Sequence, residues 1–143
     1  MYRSKAPLRI GLAGGGTDVS PYCDMYGGAV LNATISLYAH ANIEPGTDNS
    51  ITIIAADRGE QEQYPLQDAL PINGHLDLAK GAYNHIIAKY GKMPSGFTLT
   101  TTSDAPAGSG LGSSSTLLVA IIGAFKEWLR LPLGEYDIAH MAY

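Results

Sequence analysis

The sequence predicts an α+β fold, in which helices pack on one side of a mixed or antiparallel sheet. Three observations support this prediction. Segments with alternating apolar and polar residues dominate the first half of the chain, segments with apolar residues at steps of three and four dominate the second half, and turn-forming residues separate them. Such an order, strands and then helices, is typical of α+β proteins. A chain of 143 residues, of which 45% are hydrophobic, suits one domain with a core of its own.

The first half predicts a series of strands. A strand near the amino terminus carries Arg3, Lys5 and Arg9, which alternation would place on one side. From 29 to 43 the odd positions are Ala, Leu or Ile and most even positions are polar, which predicts a long half-buried strand. Residues 50–56 predict another strand, and the turn-forming residues between the two favour an antiparallel hairpin. Residues 61–65 are expected to return along its edge.

The second half predicts helices around one further strand. Apolar residues on one face predict a helix over 76–90 that ends before Gly91. Residues 97–103 are rich in β-branched side chains and predict a strand. Apolar residues at helical spacing then predict a buried helix that begins near Ser113, and a new helical pattern starts after Pro132.

A glycine-rich segment joins the last strand to the buried helix. In Pro106–Thr116 three spaced glycines precede four hydroxyl residues, so that backbone amides can point at an anion where the helix begins. The segment is not a Walker A loop, because no lysine precedes its serines, and its spacing differs from the dinucleotide-binding fingerprint. A flexible linker is the alternative, but the strand and the helix on either side need the same core. The pattern therefore predicts a phosphate-binding loop.

Composition argues against several classes of partner and site. The formal charge is −4 and the nine Lys and Arg residues form no basic stripe, so we expect neither nucleic acid nor a membrane as partner. Cys23 is the single cysteine and is interpreted as a packing residue, while the four histidines match no ligand or nucleophile spacing and are interpreted as structural. With no apolar segment typical of a signal or a membrane span, we expect a cytoplasmic protein.

Two segments resemble the motifs of a known family, the GHMP small-molecule kinases. Pro106–Thr116 resembles the second motif of that family, and Pro7–Asp18, which reads PLRIGLAGGGTD, resembles its first motif in the form found in sugar kinases. They follow the family's order, about a hundred residues apart. The resemblance implies that residues 1–143 are an amino-terminal ATP-binding domain. Family members continue into a second half with a third glycine-rich motif and an acidic general base, so we expect an incomplete chain that is inactive alone.

The second motif implies the ATP site and a magnesium ligand. The residues implied to bind ATP are Pro106, Gly108, Ser109, Gly110, Leu111, Gly112, Ser113, Ser114 and Ser115. The resemblance further implies that a hydroxyl of this loop ligates Mg²⁺, with Ser114 the first choice and Ser113 the second. The alternative is that these serines cap the helix, a role that we expect for one of them in any case.

The first motif implies the acceptor site. Arg9 stands where the family carries a cation near the reacting groups, which implies a catalytic role; a surface position on a strand is the alternative. The resemblance assigns substrate binding to Gly15, Gly16, Thr17 and Asp18, with the Asp18 carboxylate accepting hydrogen bonds from substrate hydroxyls. A turn-forming aspartate is the alternative, although three consecutive glycines are better explained by a ligand close to the backbone.

The same motif indicates which kinases the chain is most similar to. Galactokinases carry Glu-His where this sequence has Gly15 and Gly16, so galactose is not the expected acceptor. The segment is similar to the heptose 7-phosphate kinases and next to fucokinases, which implies transfer from Mg-ATP to an anomeric hydroxyl. Fucose, mevalonate or homoserine as acceptor, and a nucleotide-binding module without catalysis, remain alternatives. Whether two copies pair as a homodimer is also open.

Overall fold

In the computed structural model, which describes residues 1–143, five strands and four helices form one α+β unit, as predicted. The strands and helices, in chain order, are β1 Tyr2–Ala13, α1 Tyr22–Tyr26, β2 Leu31–Pro45, β3 Ser50–Ala55, β4 Glu60–Pro65, α2 Asp77–Tyr90, β5 Phe97–Ser103, α3 Ser113–Leu129 and α4 Glu135–Met141. Only the one-turn helix α1 has no counterpart in the sequence analysis. None of the four helices combines the length and the apolar character that a membrane crossing requires.

The five strands form one mixed sheet in the order β1-β2-β5-β3-β4. All neighbouring pairs are antiparallel except β3 and β5, which run parallel. β4 pairs along the outer side of β3, as predicted. The predicted hairpin of β2 with β3 is wrong, because β5 lies between them and pairs with both.

The start of β5 explains why the turn between β2 and β3 does not close a hairpin. The Gly46 amide donates to the Gly96 carbonyl over 2.8 Å, so the turn is bonded to the residue that directly precedes β5. A side chain at Gly96 would collide with the carbonyl oxygens of Asp48 and Ser50. β5, which begins fifty residues further along the chain, therefore fits beside this turn and between β2 and β3. The backbones can lie this close because Gly96 has no side chain.

The helices α2 and α3 pack on one face of the sheet, which alternation makes apolar. At the centre, the Phe97 ring meets Phe125 edge-on at 5.5 Å and Trp128 at 5.1 Å between ring centroids. The principal buried residues of this core are Ala41, Ile43, Ile51, Ile53, Tyr83, Ile86, Phe97, Leu99, Ala120, Ile121, Ala124 and Phe125. In β2 only the second half is buried at the odd positions, because the first half pairs with β1 alone and extends past β5.

A buried lysine on α2 was not expected from the sequence. Lys80 is fully buried, and its Nζ lies 2.9 Å from Glu62, 2.6 Å from the Asn73 side-chain oxygen and 3.2 Å from Asp77. Burial alone would lower the pKa of Lys80, but the hydrogen bonds to Glu62 and Asp77 outweigh it and hold that pKa above its usual value. This cluster ties α2 to β4, on the part of the chain that does not carry the two motifs.

Candidate active site

The glycine-rich loop has the conformation that its glycines permit. Gly108, Gly110 and Gly112 have φ of +79°, +75° and +71°, in the left-handed region that residues with a Cβ rarely adopt. Within the loop, the Ser109 amide donates to Pro106. The amides of residues 110–115 have no acceptor within the chain. The result is a run of free N–H donors that ends at the amino terminus of a 17-residue helix.

No hydroxyl caps this helix. The residue before the first turn of α3 is Gly112, and no side chain accepts a hydrogen bond from the first-turn amides. The expectation that one of the serines caps the helix is therefore wrong: the left-handed Gly112 takes the capping position and places the serines inside the first turn. Ser114 and Ser115 are exposed, and their hydroxyls make no hydrogen bond within the chain. These groups are free to meet a ligand.

The triple-glycine bend after β1 is held closed by Thr17. Gly14 and Gly16 have φ of +77° and +89°, and a side chain at Gly14 would collide with the Ala29 carbonyl. The Thr17 hydroxyl donates to the Gly14 carbonyl at 2.7 Å and accepts from the Ala29 amide at 3.1 Å. Thr17 thus has partners within the bend itself. The neighbouring Asp18 carboxylate is exposed and has no hydrogen-bond or ion-pair partner in the chain.

Arg9 joins the two motifs. Its amide donates to the Leu111 carbonyl at 3.1 Å, so β1 and the glycine-rich loop are bonded to each other. Its side chain lies over Gly112, where a Cβ would stand 3.2 Å from Nε and 3.5 Å from Cζ. No carboxylate lies within ion-pair distance of the guanidinium. An uncompensated cation therefore stands at the start of α3.

One open cleft of 590 Å³ contains parts of both motifs. Of the residues predicted from the sequence, it is lined by Arg9, Gly15, Gly16, Asp18 and Ser115. The other predicted loop residues, from Pro106 to Ser114, adjoin it through the bond to Arg9 and are not in its lining, and Thr17 is turned inward. Arg3 and Lys5, which precede Arg9 on β1, line separate hollows along this strand.

The sequence analysis did not identify the other walls of this cleft. They are formed by Ala6, Pro7, Val19, Val30, Thr116, Val119, Ala139, Ala142 and Tyr143. Most of these side chains are apolar and carry no motif that would single them out. Pro7 and Thr116 are the exceptions, since Pro7 begins the first motif and Thr116 ends the second.

The residues present fit a nucleotide phosphate chain with its magnesium. Free amides at a helix amino terminus are the donors that phosphates use, and the exposed Ser114 hydroxyl is a neutral oxygen ligand of the kind that Mg²⁺ accepts. The chain contains no group of three His, Cys, Asp or Glu side chains that could hold a metal by themselves. A magnesium ion here would depend on phosphate oxygens for most of its coordination.

Comparison with known proteins shows which family the chain resembles. Residues 77–143 match the family model described as the GHMP kinases N terminal domain. The D-glycero-alpha-D-manno-heptose 7-phosphate kinase of Campylobacter jejuni is 52% identical over 141 residues, which are 99% of this chain and 42% of that protein. The chain is thus similar to the amino-terminal part of GHMP kinases. The family resemblance of the two motifs is thereby confirmed.

Solved structures confirm the GHMP fold. A crystal structure of a D-glycero-D-manno-heptose 1-phosphate kinase from Bacteroides thetaiotaomicron superposes with a TM-score of 0.95 at 55% identity, covering the whole of this chain and 47% of that one. The mevalonate kinase of Methanococcus jannaschii, at 18% identity and a TM-score of 0.81, shows the shared fold alone. The chain spans less than half the length of these relatives.

Proposed function

We propose that the protein is an ATP-dependent sugar kinase that phosphorylates the anomeric hydroxyl of a heptose 7-phosphate. The observation that carries the proposal is the meeting of the two motifs at Arg9, whose amide bonds to Leu111 and whose guanidinium lies over Gly112. Phosphoryl transfer requires a phosphate site and an acceptor site in contact, and this residue touches both. The two named relatives above 50% identity are heptose phosphate kinases, which supports a heptose phosphate as the acceptor, and the name of the Campylobacter jejuni relative specifies the 7-phosphate.

The glycine-rich loop would hold the phosphates. The amides of residues 110–115 donate no hydrogen bond within the chain, and the α3 dipole adds about half a positive charge at the start of this helix. Ser114 would contribute a hydroxyl to the magnesium ion. Bound Mg-ATP supplies the phosphoryl group and the metal's positive charge, and the protein supplies its position relative to the acceptor.

Two charged side chains would act on the acceptor side. The Arg9 guanidinium is a cation without an ion-pair partner, so it can stabilise negative charge that develops during transfer. The Asp18 carboxylate, equally without a partner, would fix the sugar by accepting hydrogen bonds from its hydroxyls. Neither residue is assigned as the general base. On this proposal the base comes from a part of the protein that corresponds to the rest of the relatives' length. Residues 1–143 alone are then inactive.

The test is substrate selection by a full-length protein that contains this chain. ADP release is measured with heptose 7-phosphate, fucose, galactose, mevalonate and homoserine as acceptors. The proposal expects the highest kcat/KM with heptose 7-phosphate. A higher value with another acceptor would reassign the substrate, and ATP binding without transfer to any of them would favour the non-catalytic nucleotide-binding alternative.

A substitution at Asp18 tests the assignment of the acceptor side. Asp18→Asn keeps the shape and removes the charge, so turnover of the sugar should fall roughly tenfold or more. Asp57→Asn is the matched control, because Asp57 is also exposed but lies in the turn between β3 and β4, outside the lining of the cleft. Near-normal turnover of Asp18→Asn would remove this residue from the site.

A further inference from the structure

Three polar residues are buried in this chain, and one of them has no partner. They are Lys80, Thr101 and Thr116. Lys80 bonds to the acidic and amide groups around it, and the Thr101 hydroxyl lies 3.3 Å from the Ile54 carbonyl. The Thr116 side chain, in a residue only 7% exposed, makes no hydrogen bond within the chain.

Thr116 is one of the residues that line the cleft. The backbone amide of Thr116 is already committed to the Gly112 carbonyl at 3.1 Å, so the side chain alone is available. No fully buried side-chain nitrogen or oxygen in the chain lacks a partner, which means that the unbonded Thr116 hydroxyl is reached from outside. Thr116 lines the cleft together with Arg9 and Asp18. Its hydroxyl is therefore a free donor and acceptor on an otherwise packed helix face.

We infer that the Thr116 hydroxyl binds a hydroxyl group of the acceptor sugar. The inference rests on the proposed function and adds a specificity-determining residue to the acceptor side. Phosphate oxygens are served by the free amides of the loop and by Arg9, all of which carry full or partial positive charge. A neutral hydroxyl that can both donate and accept complements another hydroxyl better than it complements an anion.

Packing alone does not explain a threonine at this position. A valine has the same branched shape and fills the same space, and an alanine favours a helix more strongly. The side chain does not bond back to the preceding turn, which is the usual arrangement for a threonine within a helix. A site that bonds a substrate hydroxyl discriminates strongly against analogues that lack it, and Thr116 would give the cleft this property.

The experiment compares Thr116→Val with Thr116→Ser in the full-length protein. Calorimetric binding of heptose 7-phosphate and steady-state kinetics are both measured. Thr116→Val should raise the dissociation constant and the KM for the sugar roughly tenfold, with the KM for ATP unchanged, because one hydrogen bond to the sugar is lost. Thr116→Ser should restore binding to within roughly twofold of the wild type. If Thr116→Val does not fold, Thr116→Ala replaces it.

Thr101→Val is the matched control, because it removes a buried hydroxyl that is bonded within the sheet. It should lower the melting temperature and leave sugar binding unchanged. Unchanged sugar affinity in Thr116→Val, or an equal loss of affinity in Thr101→Val, would overturn the inference. Binding and transfer are measured separately, so a wild-type protein that binds the sugar without phosphorylating it refutes the proposed function and still tests Thr116. A wild-type protein that does not bind the sugar overturns both.

Discussion

Replacing Gly112 by alanine tests whether the contact with Arg9 matters for catalysis. The new Cβ would stand 3.2 Å from the Arg9 Nε, closer than an ordinary contact of about 3.7 Å. Because the guanidinium is the end of a flexible side chain, it should move away by roughly half an ångström. A misplacement of 1 Å at a reacting group costs roughly a hundredfold in rate, so half of that should cost roughly tenfold in kcat.

The same substitution has a stability cost that must be measured separately. Gly112 has φ of +71°, and a residue with a Cβ pays about 1–2 kcal/mol in that conformation. Gly59→Ala is the control, because Gly59 has φ of +65° in the turn between β3 and β4, and its Cβ would meet no atom within 4 Å. Both variants should therefore lose about 1–2 kcal/mol of unfolding free energy in urea titrations.

The two variants should differ in activity alone. In a full-length protein, ADP release at saturating substrates should fall roughly tenfold in Gly112→Ala and stay near the wild-type rate in Gly59→Ala, at a temperature where both are folded. Equal activity in the two variants would show that catalysis does not depend on the position that the Arg9 side chain takes over Gly112. The assignment of Arg9 to the reacting groups would then lose its geometric support.

Further predictions concern the buried lysine and the first turn of α3. Lys80→Met should lower the unfolding free energy by about 3 kcal/mol in urea, because it leaves Glu62 and Asp77 without their shared cation; a loss under 1 kcal/mol would contradict this. The hydrogen bond from Lys80 lowers the pKa of Glu62 below its usual 4.5, so this stabilisation is complete above about pH 4.5 and is lost on further acidification. Acid titration of stability should accordingly be flatter in Lys80→Met than in the wild type. Ser114→Ala should weaken Mg-dependent ATP use by roughly tenfold without lowering the melting temperature, since Ser114 does not cap the helix; a drop in melting temperature would restore the capping role.

Most of the fold could be predicted because its patterns are local. The helices over 77–90 and 113–129 follow directly from apolar spacing, and β5 from its β-branched residues. The position of β5 between β2 and β3 could not be predicted, because pairing over such a distance leaves no trace in the neighbouring sequence. The one local sign was Gly96, which becomes informative only when the backbones of Asp48 and Ser50 are known to lie against it.

The candidate site, like the fold, could be predicted only in part from the sequence. The two glycine-rich motifs could be identified from their residues, because glycines at fixed spacing express backbone conformations that other residues avoid. Whether the two motifs share a cleft could not be predicted, since this depends on the hydrogen bond between Arg9 and Leu111. The inference about Thr116 could not be made from the sequence either, because it depends on this residue lining the cleft beside Arg9 and Asp18. The assignments of individual site residues remain predictions.

The insertion of β5 also sets the order in which the molecule can assemble. β3 and β4 can associate as soon as the ribosome releases them, because only four residues separate them, but the β2 edge must wait until residues 97–103 have been synthesised. Joining segments more than fifty residues apart carries a large loop-closure entropy, and such long-range pairing slows folding. The nascent chain therefore displays an unpaired edge of β2 from the completion of β2 until β5 has been synthesised, and that edge is where we expect chaperones or self-association to act first.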